Sequence, residues 1–275
     1  KLKKEKEIRL NLVLCRSCFT AQLDTTVDPD YLFKNYFWVT GTSKKALEHA
    51  RNFFLYAKNK IKKKNFSVLE IASNDGTFLQ PFRANGCKVL GVDPAKNLNK
   101  KIKKIKTITA FFNYKISKEI KLKYSYFDFI FARNVIPHND NVKSIIKGFA
   151  NLMSNTGIGA IEFHYAGTIL KEKHYDSIYH EHIYYFTIKT LENILKKYKL
   201  NIFDCQTSPI SGGSLIIYFS KILKKPTPFF LQLKKNEIKN KYNSLKRWQS
   251  FGLQSIKHAN NFKKTLKKII NKNNK

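Results

Sequence analysis

"SVLEIASNDG", residues 67–76, is a short apolar strand running into a polar, glycine-closed turn. The strand delivers Glu70, and the turn closes at Gly76 just ahead of the helical stretch "TFLQPFRANG". Small residues let a backbone approach a ligand closely, and a helix start offers unpaired N–H groups. No Gly-Lys-Ser/Thr follows, which excludes a phosphate-binding P-loop. A dinucleotide fingerprint wants three spaced glycines, and this turn holds one. Glu70, Ser73, Asn74 and Gly76 are therefore candidate contacts to a ligand of another kind.

Working outward, "CKVLGVDP" is a second strand that ends at Asp93. A carboxylate there can accept hydrogen bonds from both hydroxyls of a ribose, in NAD or in S-adenosylmethionine. Strand, turn, helix, strand and acid in register thus predict an adenosine site. "FDFIFARNVIPH" and "GIGAIEFHY" are further strands of the buried type, with the helix "VKSIIKGFANLM" between them. Asn134 falls at a strand's carboxyl end, where ligands of open α/β sheets bind. Phe112 is a candidate flank for the adenine, with core packing an equal alternative. Upstream, "KKALEHARNFFLYAKNK" has helical spacing, with Thr42 or Ser43 able to cap it. The alternation predicts an α/β fold, a doubly wound Rossmann-like sheet covered on both faces. "NIFDCQTSPISGGSLIIYFS" reads as two strands around a Pro/Ser/Gly turn, most simply an antiparallel hairpin. A parallel sheet that finishes on such a hairpin is the layout of class I S-adenosylmethionine-dependent methyltransferases. Residues 223–275 form a lysine-rich helical extension.

The net charge of +33 invites a nucleic-acid reading. Arginine, whose bidentate fork reads bases, supplies only six of the 52 basic residues. Lys, Asn, Ile and Phe share A/T-rich codons, so genome composition suffices to explain the excess. No specific nucleic-acid partner is expected, although a basic surface favours a phosphate-bearing substrate. No run of about 18 uncharged apolar residues exists, so no membrane span is expected. Four cysteines suit a reducing compartment, and a cytoplasmic protein is expected. The chain opens at Lys1 without a methionine, which reads as a start inside a longer protein.

Five of the seven histidines lie between 138 and 182, the last two within "YHEHIYYF", residues 179–186. Residue chemistry leaves three uses open: metal binding, proton handling, or polar filler at the edge of a core. Metal would need His180 and His182 with His164 or His174. Proton handling suits histidine, whose ordinary pKa lies near ambient pH. In an extended segment, Tyr179 and Glu181 would face away from His180 and His182. A shared site therefore requires a turn there.

"YLFKNYFWVTGTS", "VLEIASNDGTFLQPF", "VLGVDPAKN", "ARNVIPH", "EFHY", "YDSIYHEHIYYF" and "SPISGGSLIIYF" follow one another in this order. The order resembles the sugar C-methyltransferase family, S-adenosylmethionine enzymes that methylate a carbon of nucleotide-linked keto-deoxysugars. YHEH and the SNDG turn carry the resemblance, which runs from about residue 12 to 222. It implies S-adenosylmethionine as cofactor and a small-molecule nucleotide-sugar as substrate. It implies His182 as base, with Glu181 and Tyr179 beside it. Tyr36, His180 and Ser214 become candidate substrate contacts, with Gly212 and Gly213 suited to close approach or to a hairpin turn.

Family members carry an N-terminal zinc module with two cysteine pairs and a C-terminal α/β domain. Here Cys15 and Cys18 make half a zinc site, short of the four ligands a structural zinc needs. Cys87 and Cys205, in predicted strands far along the chain, are poor substitutes. The organisation expected is a remnant of that module and the aromatic segment over 1–43, a methyltransferase core over 44–222, and the extension. The alternatives are a truncated core that binds cofactor without turnover, and an RNA or DNA methyltransferase. The Asp/Asn-Pro-Pro-aromatic motif used by many base amino-methyltransferases is absent.

Overall fold

A computed structural model describes residues 7–99 and 105–273. In chain order, β1 (Leu12–Leu14) and β2 (Ala21–Leu23) form an antiparallel hairpin, followed by the short α1 (Pro29–Phe33). α2 (Lys44–Ile61) starts where Ser43 Oγ accepts from the Ala46 N–H at 3.3 Å, and ends at Lys62 in the left-handed region. β3 (Ser67–Ile71), α3 (Leu79–Ala84), β4 (Lys88–Val92), α4 (Lys96–Asn99) and β5 (Thr107–Ile108) follow. Next come α5 (Tyr114–Tyr124), β6 (Phe127–Arg133), α6 (Val142–Leu152) and β7 (Met153–His164). α7 (Ala166–Glu172), β8 (Tyr184–Tyr185), α8 (Ile188–Lys196), β9 (Asn201–Ser208) and β10 (Ser214–Ser220) complete the sheets. α9 (Pro228–Lys239) and α10 (Leu245–Asn273) end the chain.

Seven strands make the main sheet in the order β5-β4-β3-β6-β7-β10-β9. Pairing is parallel from β5 through β7, and β10 runs antiparallel to both its neighbours. This is the predicted parallel sheet with its terminal antiparallel hairpin. The strands are apolar on both sides because helices cover both faces. Phe129 and Phe131 of β6 point to α2 and α3, packing with Phe53, Phe54, Leu79 and Phe82. Ile130 and Ala132 face α5, α6 and α8. The two-residue period of a strand has a functional consequence here. Glu70 shares its side with Val68, Arg133 with Phe131, and Glu162 with Ala160, so all three charged groups point beneath α2.

A second, three-stranded sheet in the order β1-β2-β8 was not anticipated from the sequence. It pairs Ala21 with Tyr185, and the Leu23 N–H donates to the Ile183 carbonyl at 2.9 Å. The N-terminal hairpin thereby braces the segment that follows YHEH. A third core of Ala21, Leu23, Tyr185, Tyr242, Trp248 and Phe251 ties this sheet to the start of α10. Glu237 of α9 is buried and accepts from Tyr165 Oη at 2.8 Å and from the Lys189 N–H at 3.1 Å. The extension is thus packed into the body as far as Phe251, while residues 256–271 are exposed. Among the described residues, no helix is long and apolar enough to cross a membrane.

Candidate active site

A cavity of about 690 Å³ opens at the carboxyl ends of β3, β4, β6 and β7. Its roof is the segment before α2 together with the 174–182 loop. Such a volume is in the range of small-molecule ligand sites.

At one end, the turn after β3 folds tightly, with Ala72, Asn74 and Gly76 all at positive φ (55°, 50° and 75°). Glycine takes that conformation freely and Asn tolerates it, but Ala72 is held there against its preference. Asp93 fixes the turn from β4, accepting from the Asn74 N–H at 2.7 Å and the Ala95 N–H at 2.8 Å. Burial raises the Asp93 pKa, and those two N–H bonds oppose the rise. The Asn74 side chain accepts from the Thr40 N–H at 3.0 Å and donates to the Trp38 carbonyl at 3.0 Å. Asp75 accepts from the Gly41 N–H at 2.8 Å. These bonds hold the aromatic segment with Tyr36 and Trp38 over the cavity. Two buried atoms in this region, Glu70 Oε2 and Ser73 Oγ, have no partner among the described residues. Burial pushes Glu70 well above the usual carboxylate range, chiefly against the pull of Arg133.

Beneath this end lies a charged network. Glu162 accepts from Arg133 Nε at 2.7 Å and Ser208 Oγ at 2.5 Å, with His49 Nε2 at 3.2 Å. Burial alone would raise its pKa, but Arg133 and His49 outweigh that and hold it at about 2. The Arg133 guanidinium also stacks on Phe78, 3.0 Å from the ring centroid.

The other end gathers histidines. Residues 179–182 form a turn, closed by the His182 N–H on the Tyr179 carbonyl at 3.0 Å. Tyr179, Glu181 and His182 consequently all line the cavity. His182 Nδ1 lies 3.0 Å from the Ser177 carbonyl, and its Nε2 lies 3.1 Å from Tyr179 Oη. A carbonyl only accepts, so Nδ1 carries the proton and Nε2 the lone pair. Burial lowers the His182 pKa, partly offset by the Ser177 carbonyl. The Tyr179 hydroxyl is pushed up to about 12, first by burial and then by Glu181. Burial raises Glu181 too. His138 sits edge-on to His182, with ring centroids 4.8 Å apart and Nδ1 3.9 Å from Glu181 Oε2. Burial lowers its pKa to about 3. His164 and His174 approach each other at 3.5 Å on the same wall.

Of the residues singled out in the sequence, Tyr36, Glu70, Ser73, Asn74, Asp93, Phe112, Asn134, Tyr179, Glu181 and His182 line the cavity. His180 does not: the turn sends its ring outward, where Nε2 meets the Ile8 carbonyl at 3.1 Å. Ser214, opposite His164 in β10, is buried in the sheet and is not among the lining residues either. Gly76 closes the turn through its N–H on the Ser73 carbonyl and does not line the cavity. Cys15 and Cys18 sit at the β1–β2 hairpin, away from the cavity, and Cys18 Sγ meets Thr20 Oγ1 at 3.3 Å. No metal-holding group of three or more His, Cys, Asp or Glu occurs among the described residues. Arg133, His138 and the Glu162 network were not picked out as site residues. For Arg133 and Glu162 the sequence signal is a charged residue at the end of an apolar strand, and for His138 it is membership of the 138–182 histidine cluster.

A sequence profile of the methyltransferase-domain family matches residues 41–204, which contain the sheet's core and both ends of the cavity. The chain belongs to that family. Residues 41–204 are its methyltransferase domain. The C-methyltransferase NovU of Streptomyces niveus is 29% identical over 212 residues, 76% of this chain and 50% of that protein. This methyltransferase thus spans about half the length of the curated relative it matches. Its fold is similar to that of the PH0226 protein from Pyrococcus horikoshii OT3, with TM-score 0.53 and 14% identity over 70% of this chain and 96% of that one. It is also similar to the plantazolicin methyltransferase BpumL in complex with SAH, with TM-score 0.51 and 15% identity over 65% and 86%. The residues at the β3–β4 end fit the cofactor: a carboxylate where a ribose would lie, and unpartnered buried oxygens on Glu70 and Ser73.

Proposed function

We propose that this methyltransferase methylates a carbon next to the ketone of a nucleotide-linked keto-deoxysugar. The observation that carries the reading is the geometry of His182, whose Nδ1 meets the Ser177 carbonyl and whose Nε2 lies beside the Tyr179 hydroxyl, both side chains lining the cavity. Oxygen and nitrogen acceptors already carry a lone pair, whereas carbon must first lose a proton. A buried neutral histidine at the substrate end suits that task. Likeness to a C-methyltransferase along three quarters of the chain also supports carbon as the acceptor. The sugar rests on the resemblance carried by YHEH and the SNDG turn.

In this reading Asp93, the turn at Ser73 and Asn74, Phe112 and Asn134 hold the adenosyl part, and Glu70 lies at the amino-acid end. Bound S-adenosylmethionine supplies an electrophilic methyl group. His182 Nε2 takes the proton from the carbon next to the ketone. The Ser177 carbonyl, which accepts from Nδ1–H, stabilises the imidazolium that forms. Tyr179, protonated at any physiological pH, turns its hydroxyl from Nε2 to the developing enolate oxygen and donates to it. Glu181 lies between His138 and the two tyrosines Tyr36 and Tyr179, where its carboxylate orients the neighbouring groups. With this reading go the domain bounds expected from the sequence: 1–43 as a remnant of the zinc-binding module with the aromatic segment, 44–222 as the methyltransferase core and 223–275 as a lysine-rich helical extension.

The test is His182→Asn with a keto-deoxysugar nucleotide. Turnover should fall by about a hundredfold or more, the lower end for general-base catalysis, with cofactor affinity nearly unchanged. Exchange of the substrate's carbon-bound proton with deuterated solvent should vanish with it. Near-normal turnover in this variant would assign the base elsewhere and leave YHEH a structural turn.

A further inference from the structure

The cavity wall has an unusual charge composition for so basic a chain. Glu70, Asp75, Asp93, Asp176 and Glu181 all line it, and Arg133 is the sole lysine or arginine among the described lining residues. A bound S-adenosyl amino acid brings a carboxylate into this acidic chamber. That carboxylate needs a donor set that outweighs five acids around it. Arg133 lies on β6, the strand paired with that of Glu70, directly across the pairing from Glu162, and both Arg133 and Glu70 line the cavity. Glu162 engages Nε, and Phe78 supports one face of the guanidinium. The terminal nitrogens of the fork are the part left to meet a ligand. A planar fork fixed at Nε and stacked on a ring is already oriented, so little side-chain entropy is lost when a second carboxylate docks.

The geometry points to Arg133 as the residue that binds the carboxylate of the cofactor's amino-acid end, with Glu162, His49 and Ser208 as the positioning residues that hold its fork. Glu70 on the neighbouring strand then faces the ammonium of the same group. The pair matches a zwitterion: an acid and a base on adjacent strands β3 and β6, on one side of the sheet. This also accounts for a buried glutamate that accepts three side chains at once. A loose arginine would be free to pair with the cavity carboxylates Glu70 or Asp75. The inference rests on the S-adenosylmethionine cofactor and is independent of which substrate is methylated.

The experiment is calorimetric titration with two ligands that share adenosine and thioether. S-Adenosylhomocysteine carries the amino-acid end, and 5′-methylthioadenosine lacks it. Arg133→Lys keeps a positive charge for Glu162 but removes the fork. It should weaken S-adenosylhomocysteine by about tenfold or more and leave 5′-methylthioadenosine within about twofold of wild type. The double variant Arg133→Gln/Glu162→Gln removes both buried charges together and should show the same split. Should neither variant fold, the wild-type chain still decides the matter through decarboxylated S-adenosylhomocysteine. That analogue should bind about tenfold or more weaker than its parent. Equal loss for both ligands in Arg133→Lys would make the arginine purely structural, and no loss for either would put the carboxylate elsewhere. Equal affinity of the wild type for parent and decarboxylated analogue would overturn the inference as well.

Discussion

Asp93 accepts one N–H from Asn74 and one from Ala95, so its carboxylate shapes the turn, and in the proposed function it also meets the cofactor's ribose. Asp93→Ala should therefore weaken S-adenosylmethionine by about tenfold or more, roughly 1.4 kcal/mol, as read by calorimetry. Unchanged affinity would reduce Asp93 to a turn residue. In the proposed mechanism the histidines set the acid limit of methylation. His182 must be neutral to act as base, and burial lowers its pKa below the ordinary 6.5. Methylation should hold as pH falls through 6.5 and drop only at lower pH, which a kcat/KM profile would reveal. An inflection above that ordinary value would contradict the buried site. Stability runs in the same direction. His138 and His164 have folded values of about 3 and about 4, below their unfolded value of 6.5. Their neutral forms favour folding, so stability is full above about 6.5 and declines as pH falls towards 4. Glu162, held at about 2, adds a further loss as pH drops below its ordinary value of 4.5.

At the scale of elements, the turn at 179–182 depends on strands far from it in sequence. The β1–β2 hairpin pairs with Tyr184–Tyr185, and α9 and α10 pack behind them. Glu237 is the polar link, receiving Tyr165 Oη and the first N–H groups of α8. These are helix-start donors that would otherwise be buried without partners. Glu237→Ala should cost roughly 1–3 kcal/mol, because each donor left unsatisfied is penalised. Urea unfolding would show a lower midpoint at an unchanged slope. An unaltered midpoint would mean that water replaces the carboxylate and that α9 is only loosely attached.

For the whole molecule, the positive charge and the cavity are separate features. Lysines cover the surface while carboxylates line the site. Duplex DNA or RNA should therefore bind weakly, without sequence preference and with a steep fall in affinity as salt rises. Filter binding or fluorescence anisotropy at physiological salt would check this. Tight, sequence-selective binding would revive a nucleic-acid substrate.

The order of strands and helices, the SNDG turn with Asp93, and the terminal hairpin were legible in the sequence. Each depends on local periodicity or on residues within one strand–turn–helix unit. The need for a turn at YHEH was legible too, because an extended strand cannot aim Tyr179, Glu181 and His182 to one side. Only the tertiary structure decided which histidine would be excluded, since His180 is drawn out by a carbonyl 172 residues away. The same holds for His138 beside His182, and for Arg133 held by Glu162, His49 and Ser208. Their partners come from two strands, a helix and a turn, and pairings at such sequence separations leave no period in the chain. They exist only because strand alternation turns Glu70, Arg133 and Glu162 to one side of the sheet, where α2 closes over them.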